Sequence, residues 1–241
     1  MTFPTLRPAG IDGLLISFAD SLSEPANRAA LGLRAWLESA GWPEIEETSA
    51  SLVSVLIRFD PMRLSSAELE TRLHAVLSET DWYAADLPTG RHLWRIPCVF
   101  GTDLAPQLEE AADLAGLTPA AAIENIAATR LRVQTIGFAP GQPYLGALDD
   151  AWDIPRQTQL TAQVPIGAVC VAIRQLVMFA TTSPTGWRHI GQTAFRGFRP
   201  ESDQPFILNP GDEILYEPVS PDTLNDLQST PHGGARREAT P

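Results

Sequence analysis

The segment IGFAPGQPYLGALDDAW at 136–152 sets Gly137, Gly141 and Gly146 around two prolines and an aromatic pair. Glycine lets backbone N–H groups face an anion or a carbonyl with no Cβ in the way, and Phe138 and Tyr144 could wall the pocket that such a loop covers. The same spacing also fits a plain barrel corner. Trp187 and His189 share a second glycine-containing turn. Imidazole titrates near neutrality, which makes His189 a candidate proton carrier, with a structural or solvent-facing histidine as the alternative. Asp149, Asp150 and Asp153 could supply a base or hold Mg²⁺, Asp150 being the catalytic candidate, or could simply cap turns. His74 falls on an amphipathic helix and His92 in a polar connector. With no histidine pair at ligand spacing, no protein-built metal site is expected. Ser183 and His189 lack the glycines of a nucleophile elbow.

Charge narrows the chemistry further. The net charge is −12 and all 17 cations are arginine. Without lysine there can be no Schiff base and no phosphate-gripping P-loop lysine. The acidity argues against nucleic acid and anionic membranes as partners. Arg132, Arg156, Arg174, Arg188, Arg196 and Arg199 could still present a local carboxylate or phosphate site, or be solvated surface residues. Cys98 and Cys170 lie in the apolar runs IPCVF and AVCVA and read as small core residues of a protein kept reduced. No apolar run approaches the roughly 20 residues of a membrane span, and the start shows no signal-like stretch, so a soluble cytoplasmic protein is expected.

The elements that must position these residues fall into two patterns. Leu14, Ile16 and Phe18 line one strand face. A helix follows, capped by Ser23, with Pro25 in its first turn, a stripe of Ala26, Ala30, Leu33, Leu37 and Ala40, and Gly41 at its end. Val53, Val55, Ile57 and Phe59 mark another strand. Ser65 and Glu68 have capping-box spacing ahead of Leu69, Leu73, Val76 and Leu77. With LWRIPCVF at 93–100 as the closing strand, the order β-α-β-β-α-β predicts a ferredoxin-like α+β domain over 1–97. Two short helices, with Asp103 and Thr118 as caps and Pro106 and Pro119 in their first turns, make a helical connector over 98–129. From 130 to 219 short apolar runs alternate with PGQP, VPIG, TSPTG and NPGD turns, an all-β barrel pattern. Asp212 is expected to make an Asx-type turn, and the tail 220–241 to be flexible for want of anything to bury.

At this point the motifs resemble a known family. IGFAPGQPYLGAL is similar to the LGFxPGFxYLGGL pattern of the allophanate hydrolase subunit 1 family, also called the KipI family or the PxpB family of 5-oxoprolinase components. IPRQTQLTAQVPIGAV, SPTGWRHIGQTAF, PFILNPGDEILYEP and the N-terminal SLVSVLIRFDPMRLSSAEL resemble further family motifs in the same order, so the likeness covers about 11–219. The resemblance implies an α+β domain followed by a cyclophilin-like barrel. It also implies work with an allophanate hydrolase subunit 2 homologue, the C component of 5-oxoprolinase. ATP and Mg²⁺ would take part, on a small amide or lactam whose carbonyl is activated by phosphate. The residues carried over for substrate binding are Phe138, Pro140, Gly141, Tyr144, Arg156, Gln175, Trp187, Gly191 and Thr193.

The chain departs from the pattern in places, which marks it as a divergent member. Gln142 stands where the third residue of PGF is usual, and Gln192 where the arginine of IGRT is. The stretch usually read GxQTGIYP is Ile173 to Ala180 and keeps only Gln175. A polar histidine and tyrosine are replaced by Ile126 and Leu131. The alternative expectation is therefore a non-catalytic regulatory protein of KipI type that binds a histidine kinase or another partner.

Overall fold

A computed structural model describes residues 2–240, which form two compact units dividing after Thr89. The first holds β1 (Thr5–Pro8), β2 (Gly13–Ser17), α1 (Glu24–Ala40), β3 (Ile45–Ser51), β4 (Ser54–Phe59) and α2 (Ser66–Glu79). Its sheet runs β1-β2-β4-β3, antiparallel throughout. Leu14, Ile16, Val55, Ile57 and Phe59 from the sheet pack with Ala26, Ala30, Leu33 and Leu37 of α1 and Leu69 and Leu73 of α2. Both helices start as their sequences dictate. The Ser23 side chain accepts from the Ala26 N–H, and Ser65 and Glu68 form a reciprocal capping box.

The closing strand differs from expectation. β1 takes the sheet edge beside β2, and residues 93–100 belong to the second unit as β5 (His92–Phe100). β5 is buried along most of its length on both faces. That suits a strand flanked by others and covered on both sides, whereas an edge strand of an open two-layer sheet would alternate.

The second unit continues with α3 (Leu108–Leu114), α4 (Pro119–Ala128), β6 (Leu131–Ile136), β7 (Pro143–Gly146), β8 (Thr161–Val164), β9 (Ala168–Ala172), β10 (Gln175–Met178), β11 (Ser183–Thr185), β12 (Arg188–Gln192), β13 (Glu213–Pro218), α5 (Pro221–Leu227) and β14 (Arg236–Ala239). Seven strands close in the order β12-β9-β10-β7-β6-β13-β5, with β12 pairing back onto β5. β8 and β11 form a separate ribbon. Alternation assigns the two faces of the barrel wall. Ile96, Cys98, Val133, Leu145, Val169, Val171, Leu176, Ile190, Ile214 and Tyr216 fill the interior, while Ala168, Cys170, Ala172 and Val177 join Val164, Phe179 and Trp187 outside it.

The expected boundaries shift accordingly. The segment 98–129 is no connector: β5 runs to Phe100, and Ala111, Ala112, Ala122 and Ile126 of α3 and α4 belong to the barrel core. Thr118 caps α4 as expected, but α3 starts at Gln107 with no side-chain cap, so Asp103 does not serve. The tail is ordered through α5, capped by Ser220, and through β14, which pairs with β5. Its few apolar side chains hid this because the stabilising partner is the backbone edge of β5. Among the described residues no helix is long and apolar enough to cross a membrane.

Candidate functional site

On the outer face of the barrel, a recess of about 200 Å³ is lined by Phe138, Gln142, Tyr144, Arg156, Leu160, Val177, Phe179, Pro184, Thr185, Gly186 and Trp187. Its floor follows from strand alternation, since Val177 and Tyr144 are register partners across β10 and β7 and so point the same way. Tyr144 meets Trp187 edge to face at 6.1 Å. The Arg156 guanidinium lies over the Trp187 ring at 5.3 Å, a cation–π contact. Phe138 is 76% exposed and held at φ 70°, a conformation that a bulky residue adopts only under constraint. The bend carrying it closes through Gln142 N–H to Ala139 C=O and Gly137 N–H to Gln142 C=O.

The wall beside Arg156 is clamped. Arg188 donates to the Pro155 carbonyl at 2.6 Å and to Glu110 at 2.7 Å. The Gln157 N–H donates to the Gly186 carbonyl at 2.7 Å, and its side-chain amide to the Trp187 carbonyl at 3.1 Å. Gln107 in turn bonds the Gln157 side chain and the His189 N–H. Backbone on both sides of Arg156 is thus fixed, while its side chain is exposed.

Four of the expected binding residues meet here: Phe138, Tyr144, Arg156 and Trp187. The others do different work. Pro140 occupies the exposed bend without lining the recess. Gly141 sits at φ 68° back to back with Gly197, and a Cβ would come within 2.7 Å of the Gly197 carbonyl oxygen, so this glycine serves chain packing and not ligand approach. Gly191 lets β12 pass Cys98, whose sulfur would lie 2.8 Å from an added Cβ. The Thr193 hydroxyl accepts the Phe195 N–H within a turn. Gln175 shares the outer face with Val177, but its amide donates at 2.7 Å to Gln134 across Gly146.

Neither catalytic candidate reaches the recess. His189 pairs with Cys170 on the barrel wall, and burial pulls its pKa below the usual imidazole range, so it is neutral near pH 7. Asp150 is exposed and bridged to Arg174 at 2.7 Å, while Asp149 caps a turn and accepts from Asn125. Asp212 closes the NPGD turn backwards, accepting the Asn209 N–H, and also takes the His92 N–H. Both cysteines are buried, and burial drives their thiols far above the range in which a thiolate forms.

Sequence reasoning missed Gln142, Leu160, Val177, Phe179, Pro184, Thr185 and Gly186. The β10 alternation carries a signal for Val177 and Phe179. Gln142 stands out in the sequence only as a departure from the family pattern, and only the fold shows that it is 1% exposed.

The chain thus joins an α+β unit to a closed seven-stranded barrel with a small recess of about 200 Å³ on its outer wall. Residues 4–208 match the model of the carboxyltransferase domain, subdomains C and D, and the chain belongs to that family, in line with the PxpB and KipI resemblance carried by its motifs. It is 27% identical over 229 residues to the B component of 5-oxoprolinase from Bacillus subtilis, covering 89% of this chain and 92% of that one. A solved structure designated TTHA0988 is 29% identical with a TM-score of 0.72 over 90% of this chain, which spans 40% of that longer chain. The urea amidolyase of K. lactis, at 16% identity and a TM-score of 0.73 over 98% of this chain and 16% of its own, shares the fold.

Proposed function

We propose that this chain is one component of an ATP-dependent hydrolase that opens the C–N bond of a small amide or lactam, of 5-oxoprolinase or allophanate hydrolase type, with the recess as the substrate's seat. Membership of the family and the 5-oxoprolinase name of the Bacillus relative support the reading. The observation that carries it is the recess itself, which joins aromatic walls to a guanidinium that no carboxylate among the described residues pairs. Its volume lies below the roughly 300–1,000 Å³ typical of drug-sized ligands, so the guest is small. The residues here bind and orient, and Arg156 would stabilise negative charge on a substrate oxygen.

The described residues are not assigned to ATP or Mg²⁺, which the resemblance implies. The chain has no lysine, no group of three or more His, Cys, Asp or Glu side chains converges among the described residues, and Asp149 and Asp150 already have partners. The reading therefore assigns the nucleotide and metal to the subunit-2 homologue or to a site completed with it. Co-expression with that homologue should yield a complex that hydrolyses ATP only when 5-oxoproline or a related amide is present. Absence of amide-dependent turnover by the purified pair would falsify the reading.

One observation favours the regulatory alternative: among the described residues no His, Asp, Glu or Cys lines the recess to move a proton. That alternative expects a stable complex with a protein partner whose formation survives Tyr144→Ala.

A further inference from the structure

A second recess, of about 210 Å³, lies where the tail folds back onto the barrel unit, lined by Trp94, Gln204, Ile207, His232, Ala235 and Arg237. It shares no lining residue with the recess around Trp187. His232, Ala235 and Arg237 fall beyond residue 208, where the match to the family model ends. What this recess can do therefore depends on the docking of the tail against β5.

The chain leaves the polar groups here unsatisfied. Trp94 is 3% exposed, and its Nε1–H has no hydrogen-bond partner among the described residues. His232 Nδ1 and Arg199 Nε are likewise buried and unpartnered. Buried polar groups are normally satisfied, and three such deficits gather around one recess. Burial, and then the charges of Arg199 and Arg237, hold the pKa of His232 below the usual imidazole range, so both guanidinia bear on that ring.

Neighbouring arginines behave otherwise. Alternation along β14 sends Arg236 to Glu217 at 2.9 Å and Arg237 the other way, over the Trp94 ring at 6.0 Å. Arg95 and Arg196 take Glu238 and Glu201. Arg199 and the exposed Arg237 pair with no carboxylate among the described residues, and no acid lines the recess. In a chain of net charge −12, this is a local positive field without a counter-ion of its own.

His232 is also held at φ 54°, in a left-handed run with Gly233 at 62° and Gly234 at 77°. The Gly233 N–H donates to the Thr230 carbonyl, and the Ala235 N–H to the His232 carbonyl. A Cβ on Gly233 would come within 2.4 Å of the Ala194 carbonyl carbon, so the bend is packed tightly in place. The imidazole is thus fixed at the recess at a backbone cost.

We infer that this recess binds a phosphate-type oxyanion, with Arg199 and Arg237 as charge partners, His232 as a further donor and Trp94 as the wall. Donors arriving from three separate positions suit the several oxygens of a tetrahedral anion better than the two of a planar carboxylate. The volume lies below the roughly 300–1,000 Å³ of drug-sized ligands, which fits free phosphate or a small phosphomonoester. The inference does not depend on the hydrolase reading.

The test is NMR of the four histidine rings of the full chain, with His232→Gln assigning the His232 signals. Inorganic phosphate, phenyl phosphate and acetate are added at constant ionic strength. Phosphate is expected to shift the His232 ring and raise its pKa, because a bound anion favours the imidazolium. Acetate should bind at least about ten-fold more weakly, and Arg237→Gln and Arg199→Gln should each weaken phosphate about ten-fold, the worth of a hydrogen bond to a charged group. Arg236→Gln, whose side chain is committed to Glu217, should leave phosphate binding unchanged. Arg237 is exposed on an edge strand, so its replacement keeps the fold, and circular dichroism with urea midpoints checks every variant. Tighter binding of phenyl phosphate identifies a phosphomonoester as the guest, and otherwise free phosphate is the guest; either supports the site. No response of His232 to phosphate, equal weakening by Arg236→Gln and Arg237→Gln, or acetate binding as tightly as phosphate overturns the inference.

Discussion

In the N-terminal unit Arg28, Arg34 and Arg58 reach Glu24, Glu38, and Glu46 with Glu47 across solvent-facing positions. In the barrel unit Arg188 is taken out of solvent to grip Glu110 and the Pro155 carbonyl, and Arg156 is left over Trp187 without an acid among the described residues. The first set follows from a surface rich in both signs and contributes little to stability, because water and salt screen it. The second uses one buried arginine to brace the segment that carries another, and leaves the exposed second one without a carboxylate among the described residues. Donors still open to a guest therefore separate a binding surface from a merely charged one.

Several substitutions would break or sharpen this contrast. Asp212→Ala should have the largest effect, about 3 kcal/mol in urea unfolding, because its carboxylate is 1% exposed and satisfies the His92 and Asn209 N–H groups at once. Arg188→Met should cost about 2 kcal/mol, tempered because Glu110 is half exposed, and should also loosen ligand binding by freeing the Pro155–Gln157 wall. If ligand affinity were untouched, the clamp would be structural only. In the N-terminal unit Ser65→Ala removes the capping box of α2 and should cost about 1 kcal/mol.

A pH series tests the barrel's buried histidine. Burial lowers the pKa of His189, so the folded chain favours the neutral ring. The stability it contributes is present above about pH 6.5, the unfolded value, and is lost as pH falls from there through the folded value. His189→Gln should flatten the decline in the urea midpoint over that window. Some slope should remain from His232, whose pKa burial and nearby arginines also lower. Arg58→Met, at the other extreme, should leave the midpoint unchanged at moderate salt, since its partners are as solvated as it is. A measurable loss there would erase the distinction between the two units.

What the sequence by itself determined was local. Ser23, Ser65 and Thr118 as caps, the buried stripes of α1 and α2, the barrel turns, and the aromatic and arginine members of the recess all follow from side-chain chemistry acting over a few residues, or from motifs that resemble a family. What only the tertiary structure decided was pairing over long separations. β5 left the N-terminal sheet for β13 and β12, and the apolar-poor tail found order on the edge of β5, because a strand's partners are set by backbone edges that carry no sequence label. The same holds within the site. Gly141 packs against Gly197 and Gln175 against Gln134, while Gln142 lines the recess and accepts the Ala180 N–H, for a polar residue's role depends on which neighbours have already satisfied it.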